Sequence, residues 1–253
     1  MTTNAFLTGN SCGLGKGLTE VLLEQGYQVY GCSRRGCDLQ GVIGDIRCDL
    51  SDFAGIAPAL NTLLADVQSL DLVVLNAGIL GRLQDIGETS LDELKRIMDI
   101  NVWSNKIIFD WLLHSNIRIE QILLISSGAA VLGNKGWGGY ALSKATLNML
   151  GKLYAHEFPR SHIMSIAPGL IETEMMESLC NDADSKRFPA LRRIQQARGT
   201  EKMLSPRQAA EQILSVLPAL KEYPSGSFID LREILAPEDY AELMKISVRK
   251  IRR

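Results

Sequence analysis

Asn4-Ala5-Phe6-Leu7-Thr8 runs directly into Gly9-Asn10-Ser11-Cys12-Gly13-Leu14-Gly15. The first five residues read as a short buried strand and the glycine-rich piece as a tight turn. Leu14, Leu18, Val21, Leu22 and Gln25 follow at helical spacing, Gly26 closes that helix, and Gln28-Val29-Tyr30-Gly31-Cys32 is a second strand. Strand, glycine turn, helix and strand make a βαβ unit of dinucleotide-binding type. Glycines in such a turn let the backbone bend sharply, approach a pyrophosphate, and aim helix N-terminal N–H groups at it. The spacing is G-x-x-x-G-x-G rather than the commoner G-x-G-x-x-G, and alone it could be a plain strand-to-helix turn. Its place between a strand and an amphipathic helix is what points to a nucleotide.

The alternation continues outward from this unit. Asp45-Ile46-Arg47-Cys48 is a weak third strand and 53–67 a helix, while Leu70-Asp71-Leu72-Val73-Val74-Leu75 is a strong fourth strand ending at Asn76-Ala77-Gly78. Residues 91–114 read as one long helix with Leu94, Ile97, Met98, Asn101 and Val102 on its apolar face. A strand over 119–126 and a helix over 140–157 come next, and His162-Ile163-Met164-Ser165-Ile166-Ala167 is stopped by Pro168-Gly169. Beyond that the pattern loosens into one or two short helices over 173–199, a better helix from Ser205-Pro206 through Leu217, and a last strand at Ser227-Phe228-Ile229. Repeated βα units without a linker or compositional break predict one α/β domain over 1–253: a Rossmann-type, doubly wound parallel sheet with helices on both faces.

A net charge of -2 gives no electrostatic case for nucleic acid or an anionic membrane, and no apolar run approaches a membrane span. The start lacks a basic segment, so no signal peptide is expected. The cysteines are odd in number, irregularly spaced and without a C-x-x-C knuckle, which argues against a disulfide framework and a metal site. The expected compartment is the cytoplasm. The basic end, Arg249-Lys250-Ile251-Arg252-Arg253, reads as a solvated or frayed tail.

A second stretch carries candidate chemistry. Gln121-Ile122-Leu123-Leu124-Ile125 leads into Ser126-Ser127-Gly128, and Tyr140-Ala141-Leu142-Ser143-Lys144 opens a helix. Tyr140 and Lys144, four apart, share one helix face. A phenol has a reference pKa of about 10, and an ammonium beside it favours the phenolate, so lowering is expected. Ser127 could hydrogen-bond the same carbonyl oxygen that Tyr140 protonates, an arrangement suited to interconverting ketone and alcohol. Alone, a Tyr-x-x-x-Lys pair is a weak motif, and it gains meaning from the nucleotide site earlier in the chain.

Together these pieces resemble the short-chain dehydrogenase/reductase family over nearly the whole chain. Thr8-Gly9-x3-Gly13-x-Gly15 matches its cofactor motif, which implies contacts from Thr8, Gly9, Asn10, Ser11, Gly13, Leu14 and Gly15. Asp49, with Leu50, fits the position at the adenine ring, and Asn76-Ala77-Gly78 the motif after the fourth strand. Pro168-Gly169, with Ile171 and Thr173, matches the segment that holds the nicotinamide carboxamide. Asn101, Ser127, Tyr140 and Lys144 fit the catalytic tetrad. The resemblance implies Tyr140 as proton donor, Ser127 as polarising hydroxyl, Lys144 as partner of Tyr140 and of the nicotinamide ribose, and Asn101 as anchor of a proton-relaying water. At the end of the second strand, where NAD-specific members carry a carboxylate, stand Ser33, Arg34 and Arg35, so NADP(H) is expected.

Lys135-Gly136-Trp137 and Ser225-Gly226-x3-Asp230 look like the sepiapterin reductase branch and its bacterial diketone-reducing relatives. That likeness implies a ketone or diketone substrate, Asp230 as its anchor, Trp137 and Met175 as apolar wall beside Ser127 and Tyr140, and 174–205 as a covering segment. It also implies a homodimer or homotetramer formed through the 91–114 and 140–157 helices. A catalytically idle NADP(H) sensor or scaffold is the competing reading.

Overall fold

Alternate residues of Asn4–Thr8 (β1) enter different apolar layers: Ala5 and Leu7 join one, Phe6 the other. The same period-two division splits Leu72 and Val74 from Val73 and Leu75, and Leu123 and Ile125 from Ile122 and Leu124. A strand apolar on both faces needs cover on both, so the central sheet lies between two helical layers. The computed structural model describes residues 2–182 and 184–251.

In chain order the elements are β1, α1 (Gly13–Glu24), β2 (Gln28–Ser33), β3 (Gly44–Arg47), α2 (Phe53–Leu63), β4 (Ser69–Leu75), α3 (Leu91–Met98) and α4 (Ser104–His114). β5 (Arg118–Ile125), α5 (Ala129–Leu132), α6 (Gly138–Tyr154), β6 (His162–Ala167), β7 (Leu170–Ile171), α7 (Glu174–Asp182) and α8 (Pro189–Ala197) follow. The chain continues with β8 (Met203–Leu204), α9 (Pro206–Leu220), β9 (Ser227–Asp230), α10 (Arg232–Leu235) and α11 (Pro237–Ile251). Seven strands form one parallel sheet in the order β3-β2-β1-β4-β5-β6-β9, and β7 pairs with β8 in a small ribbon beyond its edge. This is the expected doubly wound fold. Helices α1 and α9 cover one face, while α2, α4 and α6 cover the other.

The order in which strands are laid down reverses between β1 and β4, which run parallel as neighbours in the sheet though the chain passes through β2 and β3 between them. In open α/β sheets ligands sit at such a switch point, outside the carboxyl ends of the strands. Gly9, Arg34, Asn76, Ser126 and Pro168 all lie just past a strand's carboxyl end, and all five meet at the same crevice by virtue of this topology.

The expected long helix over 91–114 is interrupted. Asp99–Trp103 is a π-helical turn between α3 and α4. The side chains of Ser104 and Asn105 bond the carbonyls of Ile100 (2.7 Å) and Asn101 (2.9 Å), satisfying acceptors in the irregular turn. Helix α2 ends at Leu63, short of the expected 67, and α9 runs on to Leu220. No described helix is long and apolar enough to cross a membrane. The basic stretch at 249–253 has its side chains outside the described residues.

Candidate active site

At the carboxyl end of β1 the chain turns through Gly9 (φ 72°) and Gly13 (φ 51°), left-handed conformations that side chains rarely adopt. A Cβ on Gly15 would collide with the Gly9 carbonyl oxygen, so the turn packs tightly against the start of α1. Cys12 stands at the N-cap of α1 without a side-chain capping bond. The first-turn N–H groups are therefore left for another acceptor, beside the cavity walls made by Gly13, Leu14 and Gly15. This backbone cradle fits a dinucleotide pyrophosphate.

The cavity is continuous, about 860 Å³, and bounded by nearly every residue the resemblance assigned to the cofactor. Gly9, Ser11, Asp49, Leu50, Asn76, Ala77, Gly78, Pro168, Gly169, Ile171 and Thr173 all lie on its wall. Asp49 accepts from the Ser51 N–H (2.9 Å) and hydroxyl (2.8 Å), which hold its carboxyl below the usual carboxylate range.

Two assigned residues act from behind the wall. Thr8 is fully buried, and its Oγ1 accepts from the N–H groups of Asn76 (3.0 Å) and Ala77 (3.1 Å). Asn10, expected to touch the cofactor, instead packs over Gly31, where no Cβ would fit, and donates to Asp45 Oδ1 at 2.7 Å. Burial takes Asn10 off the ligand side and makes it a brace between β2 and β3.

Ser33, Arg34 and Arg35 line the cavity at the end of β2. Nearby carboxylates are committed elsewhere: Asp45 to Asn10 and the Cys37 N–H, and Asp38 to Lys16 at 2.6 Å. Neither is on the cavity wall. Arg35 lies 3.7 Å from Glu174, the first residue of α7.

At the other end, Ser127 follows β5, and Tyr140 and Lys144 rise from α6 onto the same wall. Burial pushes the Tyr140 phenol up to about 12, with the Ser127 hydroxyl pulling weakly the other way. Burial also drives the Lys144 ammonium down to about 8. The expected lowering of the phenol is thus reversed: Lys144 Nζ lies 5.6 Å from the ring centre and donates to the Ile125 carbonyl at 2.7 Å, leaving desolvation as the larger effect.

Asn101 does not reach the wall. Its carboxamide accepts from the Ile79 N–H and donates to the Ile79 carbonyl, both at 2.8 Å, and also donates to Ser143 Oγ at 2.9 Å. Ser143 in turn donates to the Tyr140 carbonyl. Asn101 therefore ties the loop after β4 to the first turn of α6, and a side chain on Gly78 would press on both Asn101 and Lys144.

Trp137, Leu179, Phe188 and Leu191 form a small apolar cluster under the covering helices, joined by Tyr140, Met176 and Ile194. Met175 is half exposed at the cavity. Asp230, expected as substrate anchor, is buried off the wall. Its carboxylate accepts from Arg232 Nε (2.8 Å), Nη2 (2.5 Å) and N–H (3.1 Å), so the neighbouring guanidinium has claimed it. Arg232 itself, and Arg193 of α8, line the cavity. Sequence reasoning passed over both; the Asp-x-Arg spacing at a strand end was the available signal for Arg232, and Arg193 had none.

The short chain dehydrogenase family matches residues 3–184. Benzil reductase ((S)-benzoin forming) of Bacillus subtilis is 29% identical over 242 residues, covering 91% of this chain and 98% of that protein. The 3-oxoacyl-acyl-carrier-protein reductase FabG of Salmonella typhimurium is 31% identical over 196 residues, 70% of this chain and 77% of that protein. Among solved structures, the KRED1-Pglu enzyme superposes with a TM-score of 0.77 at 25% identity, covering 90% of this chain and 100% of its own.

Proposed function

This chain belongs to the short chain dehydrogenase family, and from that premise we propose that it is an NADPH-dependent reductase of ketone or diketone carbonyls. The observation that carries the reading is the meeting of Ser127, Tyr140 and Lys144 with the glycine cradle and Arg34–Arg35 in one cavity. Benzil and oxoacyl reductases among its relatives support carbonyl reduction.

When bound, NADPH would supply the hydride. Glycine-cradle N–H groups and the uncapped start of α1 would hold its pyrophosphate, and Arg34 and Arg35 would receive the 2′-phosphate. Ser33 stands where a carboxylate would repel that phosphate. With its phenol pushed up to about 12, Tyr140 begins the step protonated and gives its proton to the carbonyl oxygen. Ser127 donates a hydrogen bond to that same oxygen. Lys144 stabilises the negative charge left on Tyr140, and Asn101 positions α6 through Ser143. Trp137 and Met175 present apolar surface to the substrate body.

The reading includes association into a homodimer or homotetramer. Leu142, Met149 and Leu153 are exposed along one face of α6, a stripe that a second copy would cover.

The test is NADPH consumption with benzil, aliphatic diketones and sepiapterin. Turnover that vanishes in Tyr140→Phe supports the reductase. Absence of turnover with NADPH binding intact would overturn it in favour of a cofactor-binding sensor.

A further inference from the structure

Arg232 and Arg193 approach the turn between Ser127 and Tyr140 from its two ends. Arg232 Nη2 lies 3.5 Å from where a Cβ on Gly128 would stand, next to Ser127. Asp230 grips the Nε–Nη2 edge, and a guanidinium has five donors, so the Nη1 side is left for another acceptor. Arg193 reaches from α8 to Asn134 Oδ1, at 3.4 Å, and has no ion pair among the described residues. Gly128 and Asn134 flank α5, so the two guanidiniums bracket that short helix on the cavity side.

Asp230 balances the charge of Arg232, but no carboxylate among the described residues balances that of Arg193. Asp49 and Glu174 lie toward the nucleotide end, Asp49 just past β3 and Glu174 beside Arg35. Trp137, Leu179 and Ile194 add apolar surface to the same cavity. A wholly apolar substrate would desolvate Arg193 without giving its charge a partner, which is unfavourable. A carboxylate would accept from guanidinium forks in the geometry they favour.

We propose that the preferred substrates are oxo acids, carbonyl compounds with an apolar body and a carboxylate that Arg232 and Arg193 receive while Ser127 and Tyr140 engage the carbonyl. The inference rests on the reductase reading and narrows its substrate class. Asp230 is then a positioning residue, fixing the guanidinium rather than touching substrate.

The test compares kcat/KM at saturating NADPH for benzoylformate and benzoylpropionate against their methyl esters, which differ in charge and little in shape. At least one acid is expected to exceed its ester by about tenfold or more, the scale of a charge-assisted hydrogen bond. Arg193→Gln and Arg232→Gln are expected to lower that acid-to-ester ratio, chiefly through KM of the acid. Arg193 is partly exposed, so its variant keeps the test informative if loss of Arg232 beside buried Asp230 unfolds the protein. Esters reduced as well as or better than both acids, or a ratio unchanged in Arg193→Gln, would overturn the oxo-acid inference and leave the reductase standing. If acids, esters and benzil all fail to consume NADPH, the reductase reading falls and this inference with it.

Discussion

Lys144 Nζ donates a 2.7 Å hydrogen bond to the backbone carbonyl of Ile125, the last residue of β5, while lying over the face of Tyr140. The ammonium is thus buried without a carboxylate, which costs stability at neutral pH.

That cost has a pH signature. Burial lowers the folded-state pKa of Lys144 to about 8, below the 10.5 of an exposed lysine. Between those values the unfolded chain holds a proton that the folded chain does not, so stability rises with pH across that window. Below about pH 8 both states are protonated and the contribution is constant. Relative to Lys144→Met, the wild type is expected to gain about 1–2 kcal/mol between roughly pH 7 and 9.5. Urea denaturation of both proteins at each pH checks this, and a pH-independent difference would contradict it.

Tyr140→Phe keeps the ring and removes the proton. Reduction is expected to fall by roughly 10²–10⁴-fold, with NADPH affinity changed little. Single-turnover kinetics and cofactor titration separate the two effects.

Cofactor choice depends on Arg34 and Arg35. Their replacement by alanine is expected to lower kcat/KM for NADPH by about tenfold or more and to leave NADH little affected. Wild-type activity with NADH equal to or above that with NADPH would defeat the assignment.

Asn101→Ala leaves the Ile79 N–H and carbonyl and the Ser143 hydroxyl without their partner. A loss of about 2–4 kcal/mol is expected, from several buried polar groups losing partners together. Equilibrium unfolding of the variant measures it, and a change under about 0.5 kcal/mol, the ordinary range for a surface substitution, would show that the tie is dispensable.

Light scattering is expected to find a dimer or tetramer, and Met149→Lys with Leu153→Lys to shift it toward monomer. A wild-type monomer at all concentrations would remove the α6 stripe as an interface.

The sheet was legible because apolar runs such as Leu72-Val73-Val74-Leu75 announce strands buried on both faces, and the glycine turn fixed where the first crossover begins. What escaped depends on contacts remote in sequence. The π-helical turn at Asn101 sits inside unbroken helical periodicity, and the Ile79 peptide that Asn101 bonds lies on another segment, where helical spacing carries no trace of it. Asn10 looked like a loop ligand, yet the space above Gly31 draws it inward. Asp230 looked like an anchor until Arg232, two residues on, took both oxygens. The phenol of Tyr140 rose rather than fell, since pairwise spacing conveys the nearby ammonium and not the depth of burial.

The stitch between Thr8 and Asn76 has a mechanical consequence. β1 and β4 are last paired at Thr8 and Leu75, so the ladder ends there. The end of a ladder is a notch, and a wedge driven into it would tend to unzip the pairing behind. Asn76 and Ala77 donate to Thr8 Oγ1, and Asn76 Nδ2 donates to the carbonyls of Thr8 and Gly9, riveting the root of the notch. A molecule seated there meets a root already tied across β1 and β4, so a split would stop at the rivet and leave the ladder behind it paired.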